Sequence, residues 1–195
     1  MSEVTIRPAG PDDAAAAARC QLDCWREACT GLVDAGRLGV LLAGVAERTE
    51  RWRTILAGGG DRHLAVCDGE LVGFAAAGAN RDAELGLDLE LYALYTRRAH
   101  WGTGLGHRLL EVVLGEAHAS LWVLRDNARA RRFYTAHGFV PDGTEKWDDD
   151  FGGVEIRMVR RSPRRSTKTP RRAAPAAGPR APWPSRPTGP TTPAG

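Results

Sequence analysis

Residues 88–110 read DLELYALYTRRAHWGTGLGHRLL, and this stretch organises the chain. Leu89 through Tyr95 is an apolar, aromatic run of the length of a buried strand. A short basic turn, Thr96 to His100, leads into the cluster Trp101-Gly102-Thr103-Gly104-Leu105-Gly106. A helical pattern opens directly after it. Glycines lack a Cβ, so the backbone can curl and approach a ligand closely. The first amides of the following helix are unpaired and lie at its positive end. Strand, glycine turn and helix N-terminus together predict a cradle for phosphate.

The cradle has several conceivable ligands. No Gly-Lys-Ser/Thr follows the glycines, which excludes the nucleoside-triphosphate loop. A dinucleotide fingerprint needs a third glycine at position 107, where His107 stands.

Further along, LWVLRDNARARRFYTAHGFVPDG (121–143) places Asn127 at a helix start and Phe133-Tyr134 on that helix, ahead of Gly138-Phe139. With the strand and glycine loop, this pattern resembles the GCN5-related N-acetyltransferases. Those proteins bind the pyrophosphate of acetyl-coenzyme A on a Q/R-x-x-G-x-G/A loop. Here the register is Trp101-x-x-Gly104-x-Gly106, so Trp101 departs from the family pattern. The resemblance implies an α/β (α+β) domain whose mixed, largely antiparallel sheet is flanked by helices, the acyl-CoA N-acyltransferase fold. It implies that Leu94, Tyr95 and Thr96 offer backbone groups to the pantetheine arm. Trp101, Gly102, Thr103, Gly104, Leu105, Gly106 and His107 would surround the pyrophosphate, and Asn127 would contact the arm. Tyr134 would stand at the thioester sulfur. A thiol has an ordinary pKa of about 8.5, so a phenol beside it can donate to the charge that develops there.

Glu90 is the expected general base, because it precedes Gly104 by the spacing of such a glutamate in the histone-type members. Strict strand alternation would put Glu90, Tyr92, Leu94 and Thr96 on one face. Arg97, Arg98, Arg108 and Arg131 are further candidates for phosphate contacts. Amide formation from a thioester needs no metal, and the histidines form no metal-binding spacing. The implied activity is acetyl transfer to a primary amine of a small molecule or peptide. The alternative is a non-catalytic acyl-CoA sensor on the same fold. Homodimers are common in such proteins, and the oligomeric state stays open.

Composition agrees with a folded domain: of 195 residues, 43% are hydrophobic and 26% charged. No apolar run reaches the roughly 20 residues of a membrane span. No apolar signal segment is evident, so the expected location is cytoplasmic, and Cys20, Cys24, Cys29 and Cys67 are expected as free thiols. The net charge of +3 conceals a division: residues 1–160 carry 19 Lys and Arg against 24 Asp and Glu, whereas the remainder carries eight basic residues and no acid. Nine of the twelve prolines also lie after Arg160. The expected organisation is an acetyltransferase domain at 1–160 and a disordered basic tail at 161–195. Nucleic acid would be touched, weakly, by that tail alone. The acidic run Asp148-Asp149-Asp150 and the negative domain would suit a cationic acceptor.

Within the domain, the expected order is strand, two helices, three strands, helix, strand, helix and two strands. Val4 to Arg7 opens the series, and a helix capped by Asp12 or Asp13 runs to Cys29. A second helical region ends at Gly58-Gly59-Gly60. The hairpin His63–Cys67 and Leu71–Ala75 turns on Asp68-Gly69. The remaining expectations are a helix at 104–118, a strand at 119–124, a helix at 128–137, a strand starting at Phe139-Val140, a loop at 141–150 and a strand at 154–159.

Overall fold

The structure is a computed structural model that describes residues 3–58, 60–82 and 85–161. Apart from Arg161, the expected disordered tail lies outside the described residues. The elements are β1 (Val4–Pro8), α1 (Ala14–Cys29), α2 (Ala35–Ala43), α3 (Val45–Ala57), β2 (Asp61–Cys67), β3 (Glu70–Ala79), β4 (Leu89–Thr96), α4 (Leu105–Leu114), β5 (Ala119–Leu124), α5 (Ala128–Ala136), β6 (Val140–Asp148) and β7 (Gly153–Arg160). They build one seven-stranded sheet in the order β1-β2-β3-β4-β5-β7-β6. All neighbours are antiparallel except β4 and β5, which run parallel. The mixed, largely antiparallel α/β architecture is therefore present.

Alternation along the strands divides the core into two layers. Leu105, Leu109, Leu110 and Val113 of α4 pack with Ala75, Leu91, Leu121, Val123 and Met158. On the opposite face, Ala17, Cys20 and Cys24 of α1 meet Trp52 and Ile55 of α3 over Leu64, Phe74 and Ala76. The two faces are tied to the sequence by the period of two in each strand and the helical stripe of α4. The β2–β3 turn has the expected form: Asp68 and Gly69 both take positive φ, at 50° and 82°.

Four features outside β4 depart from the expectation. The second helical region is two helices, α2 and α3, joined at Gly44. Asp13 precedes α1, but its carboxylate turns back to accept from Gly10 N–H at 2.7 Å and from Arg7. Helix α4 stops at Gly115, whose φ is 50°, and Arg160 donates to the carbonyls of Gly115 and Ala117 at 2.7 and 3.1 Å. Finally, the strand expected to start at Phe139-Val140 does not give way to a loop at Pro141 but runs on to Asp148 as β6. It holds the sheet edge, where Pro141 is tolerated, and its register shifts between Pro141 and Glu145.

A β-bulge overturns the expected alternation of β4. Ala76 faces Ala93 and Ala77 faces Leu91, which leaves Tyr92 as the extra residue. Leu91 and Leu94 consequently belong to the α4 face, while Tyr92, Ala93 and Tyr95 pack toward α1 and α3. Gly78 makes room for the bulge, since a Cβ there would lie 2.7 Å from the Tyr92 ring.

Candidate active site

Strands β4 and β5 pair only across Leu89–Leu91 and Ala119–Leu121. Beyond that point Tyr92–Thr96 and Trp122–Leu124 diverge, and a cavity of about 450 Å³ opens between them. Buried backbone groups require partners, so a splayed pair leaves polar edges available to a ligand.

The glycine loop closes one end. Gly102 and Gly104 take φ of 75° and 86°, a region that costs a side-chain residue about 1 kcal/mol or more. Gly104 is the N-cap of α4, so the free amides of that helix open onto the loop. No atom beyond the adjacent residues comes within 4 Å of a Cβ built at Gly102 or Gly104, whereas one at Gly106 would stand 3.2 Å from the Phe133 ring. The loop is thus a smooth backbone surface backed by α5. Gly102, Gly104, Gly106 and His107 line the cavity with Trp101. The Thr103 hydroxyl instead donates to the His100 carbonyl at 2.9 Å, and Leu105 is buried in the core.

The indole N–H of Trp101 donates to the Thr96 carbonyl at 3.0 Å, fixing the ring across the loop. Arg129 lies over that ring at 3.7 Å and Arg98 at 5.2 Å. Trp101 is therefore an aromatic platform that holds guanidinium groups. His137 Nδ1 donates to the Phe133 carbonyl at 2.7 Å, and its Nε2 meets His107 Nδ1 at 3.1 Å. Arg129, His100, His107 and His137 all line the cavity, which gives this end its basic character.

Helix α5 supplies the next side chains. The Asn127 carboxamide oxygen caps it by accepting the Ala130 N–H at 3.0 Å. Asn127 and Tyr134 both line the cavity, as do Leu94, Tyr95 and Thr96 on the facing strand. Tyr134 is buried, held edge-on between Phe133 and Phe139 at centroid distances of 5.3 and 5.9 Å. Its hydroxyl makes no hydrogen bond to another described residue. Burial pushes the phenol well above its ordinary pKa, and the nearby Arg129 only partly offsets this.

Glu90 is not brought to this cavity. It is 2% exposed, and its carboxylate is held by the Arg81 guanidinium and accepts the Arg81 backbone N–H at 3.1 Å. Arg97 is equally committed: it reaches Asp23 and Glu27 of α1, each near 3 Å, and so docks α1 on the end of β4. Arg108 donates to the Val4 carbonyl and Arg131 to that of Arg125. The acidic run forms the β6–β7 turn, where the Asp148 carboxylate accepts the Phe151 N–H at 2.7 Å.

Several lining residues carry no signal that a sequence reading could use. Trp122 projects from β5 on the face opposite Leu121 and Val123. Glu155 of β7 lines the same wall with its side chain 14% exposed, and Phe151 closes it from the turn. Burial raises the Glu155 pKa, with Lys146 opposing and Asp148 adding to the effect. Among the described residues no three His, Cys, Asp or Glu side chains converge as a metal site. No helix among them is long and apolar enough to cross a membrane.

Known proteins of this shape were found by sequence and by fold. The family model described as acetyltransferase (GNAT) family matches residues 26–139, more than half of the chain. A probable N-acetyltransferase of Mycobacterium tuberculosis is 28% identical over 166 residues, covering 81% of this chain and 92% of that protein. The PaiA N-acetyltransferase of Thermoplasma acidophilum, solved in complex with coenzyme A, superposes with a TM-score of 0.59 at 17% identity, over 81% of this chain and 98% of that one. A GCN5-related N-acetyltransferase structure from Rhodopseudomonas palustris reaches 0.63 at 20% identity, over 82% and 96% of the two chains.

Proposed function

The chain belongs to the GNAT acetyltransferase family, and on that premise we propose that it transfers an acetyl group from acetyl-coenzyme A to a primary amine of a small molecule or peptide by direct attack. The observation that carries this reading is the Tyr134 phenol, which lines the same cavity as the glycine loop and the splayed end of β4. When bound, acetyl-coenzyme A supplies an activated acyl group on a thiol leaving group.

The residues present suit that co-substrate. The backbone surface at Gly102, Gly104 and Gly106, with the N-terminus of α4, would hold the pyrophosphate. Arg129 on its Trp101 platform adds a cation there. Leu94, Tyr95 and Thr96 would pair through the backbone with the pantetheine arm, and Asn127 would meet it from α5. Tyr134 keeps its proton throughout the working pH range because burial disfavours the phenolate. It therefore has a proton, or a hydrogen bond, to offer where thiolate charge develops. Glu90 is given no part, since Arg81 neutralises it away from the cavity.

The test is release of free coenzyme A thiol from acetyl-coenzyme A with a panel of primary amines, read alongside thermal stabilisation by the co-substrate. Amine-dependent release that collapses in Tyr134→Phe is the expected result. Stabilisation without release from any amine would instead favour a sensor of acyl-CoA.

A further inference from the structure

The wall of the cavity opposite the glycine loop carries its own chemistry. On β5 and β7, Leu121, Val123 and Ile156 point into the α4 layer, so Trp122 and Glu155 emerge together on the other face. Phe151 stands beside them, packed edge-on against Trp25 at 5.1 Å. Tyr92, pushed out by the bulge, lines the same cavity. Glu155 is the only carboxylate among the described residues that line it.

The neighbouring acids are already engaged. Asp23 and Glu27 hold Arg97, Asp82 and Asp142 hold Arg157, Glu90 holds Arg81, and Asp148, which bears on Glu155 from the turn, accepts the Phe151 N–H. Cations already sample this wall, Arg157 among them at 5.7 Å from the centre of the Trp122 ring. Lys146, reaching over from the edge strand, puts its ammonium 3.2 Å from the Glu155 carboxylate and 4.1 Å from the centre of the Trp122 ring. A carboxylate joined to an indole face is a recognition unit for one ammonium group.

Resting on the acetyltransferase reading, we propose that the acceptor is a monoamine carried on an aromatic or apolar body. Its ammonium displaces Lys146 from Glu155 and Trp122 and releases a proton to solvent before the neutral amine attacks the thioester, and its body packs against Phe151 and Tyr92. A polyamine or an aminoglycoside would bring further ammonium groups to a cavity that Glu155 alone lines with a carboxylate, between Arg157 at Trp122 and Arg129 at the loop end.

The experiment compares 2-phenylethylamine with spermidine and kanamycin, using the full chain. Turnover is followed by thiol release at saturating acetyl-coenzyme A, and binding by calorimetry on the coenzyme A-loaded protein. 2-Phenylethylamine is expected to be preferred by about tenfold or more in kcat/KM or in Kd. Glu155→Gln should raise the KM or Kd for that amine by about tenfold, leaving the KM for acetyl-coenzyme A in place. Lys146→Met should lower it, because the resident competitor is gone. Preference for spermidine or kanamycin, or an amine affinity indifferent to Glu155→Gln, overturns the proposal. Absence of thiol release with every amine strikes the catalytic reading instead, and the calorimetric preference still decides this one.

Discussion

The two walls of the cavity are built on different plans. The wall formed by the glycine loop, the end of β4 and the start of α4 offers mainly backbone, with Arg129 and three histidines around it. The wall formed by β5, β7 and the turn at Phe151 offers side chains: an indole, a phenyl ring and one carboxylate. Backbone recognition tolerates sequence change, because every residue but proline has an N–H. Side-chain recognition changes with each substitution. One wall is therefore suited to a constant co-substrate and the other to a particular acceptor.

Tyr134 stands between the two walls, and its removal gives the largest expected effect. Tyr134→Phe should lower kcat by about 10²-fold or more, the range of proton-transfer catalysis, with the KM for acetyl-coenzyme A within about twofold of the parent. A fall in KM-governed binding with kcat intact would make Tyr134 a packing residue of the first wall. Next is Arg129→Ala, which should raise the KM for acetyl-coenzyme A by about tenfold and leave the amine KM unchanged, separating the walls kinetically.

A smaller effect is expected from pH. Burial raises the Glu155 pKa, so its charge is lost on acidification earlier than for an ordinary glutamate. The groups bearing on it are Lys146, Asp148 and Arg81. A quaternary arylalkylammonium inhibitor cannot itself titrate, so its Ki should climb several-fold as the pH falls through that value. The climb should be absent in Glu155→Gln. The smallest effect on turnover is expected at Glu90. Glu90→Gln should keep the parent pH–rate profile within about twofold while lowering stability by about 2 kcal/mol, because Arg81 loses its buried counter-charge. A displaced acidic limb with unchanged stability would return Glu90 to the chemistry.

How much of this was legible in the sequence follows the same division. The first wall is one contiguous stretch, and positive φ at Gly102 and Gly104 is a demand that glycine alone meets easily. Asn127 and Tyr134 were legible as a capped helix with a phenol on it. The second wall is assembled from β5, β7 and a turn, so Trp122 and Glu155 share a surface without sharing a local pattern. The pairing of Glu90 with Arg81 rests on the register between β3 and β4, and no spacing rule reports it. The bulge at Tyr92 belongs to the same class: it depends on Gly78 across the strand pair. The length of β6 was hidden because Pro141, Asp142 and Gly143 read as a turn wherever edge position is unknown.

The short pairing of β4 with β5 has a consequence for the whole molecule. Only Leu89–Leu91 and Ala119–Leu121 join the strands β1 to β4 to the strands β5 to β7 within the sheet. The sheet has a seam, and what enters the seam acts as a missing strand. Occupancy should then register as slowed amide hydrogen exchange along Tyr92–Thr96 and Trp122–Leu124, on both banks at once, with the β2–β3 hairpin unaffected. The co-substrate would be, in mechanical terms, mortar between two half-sheets before it is a reagent.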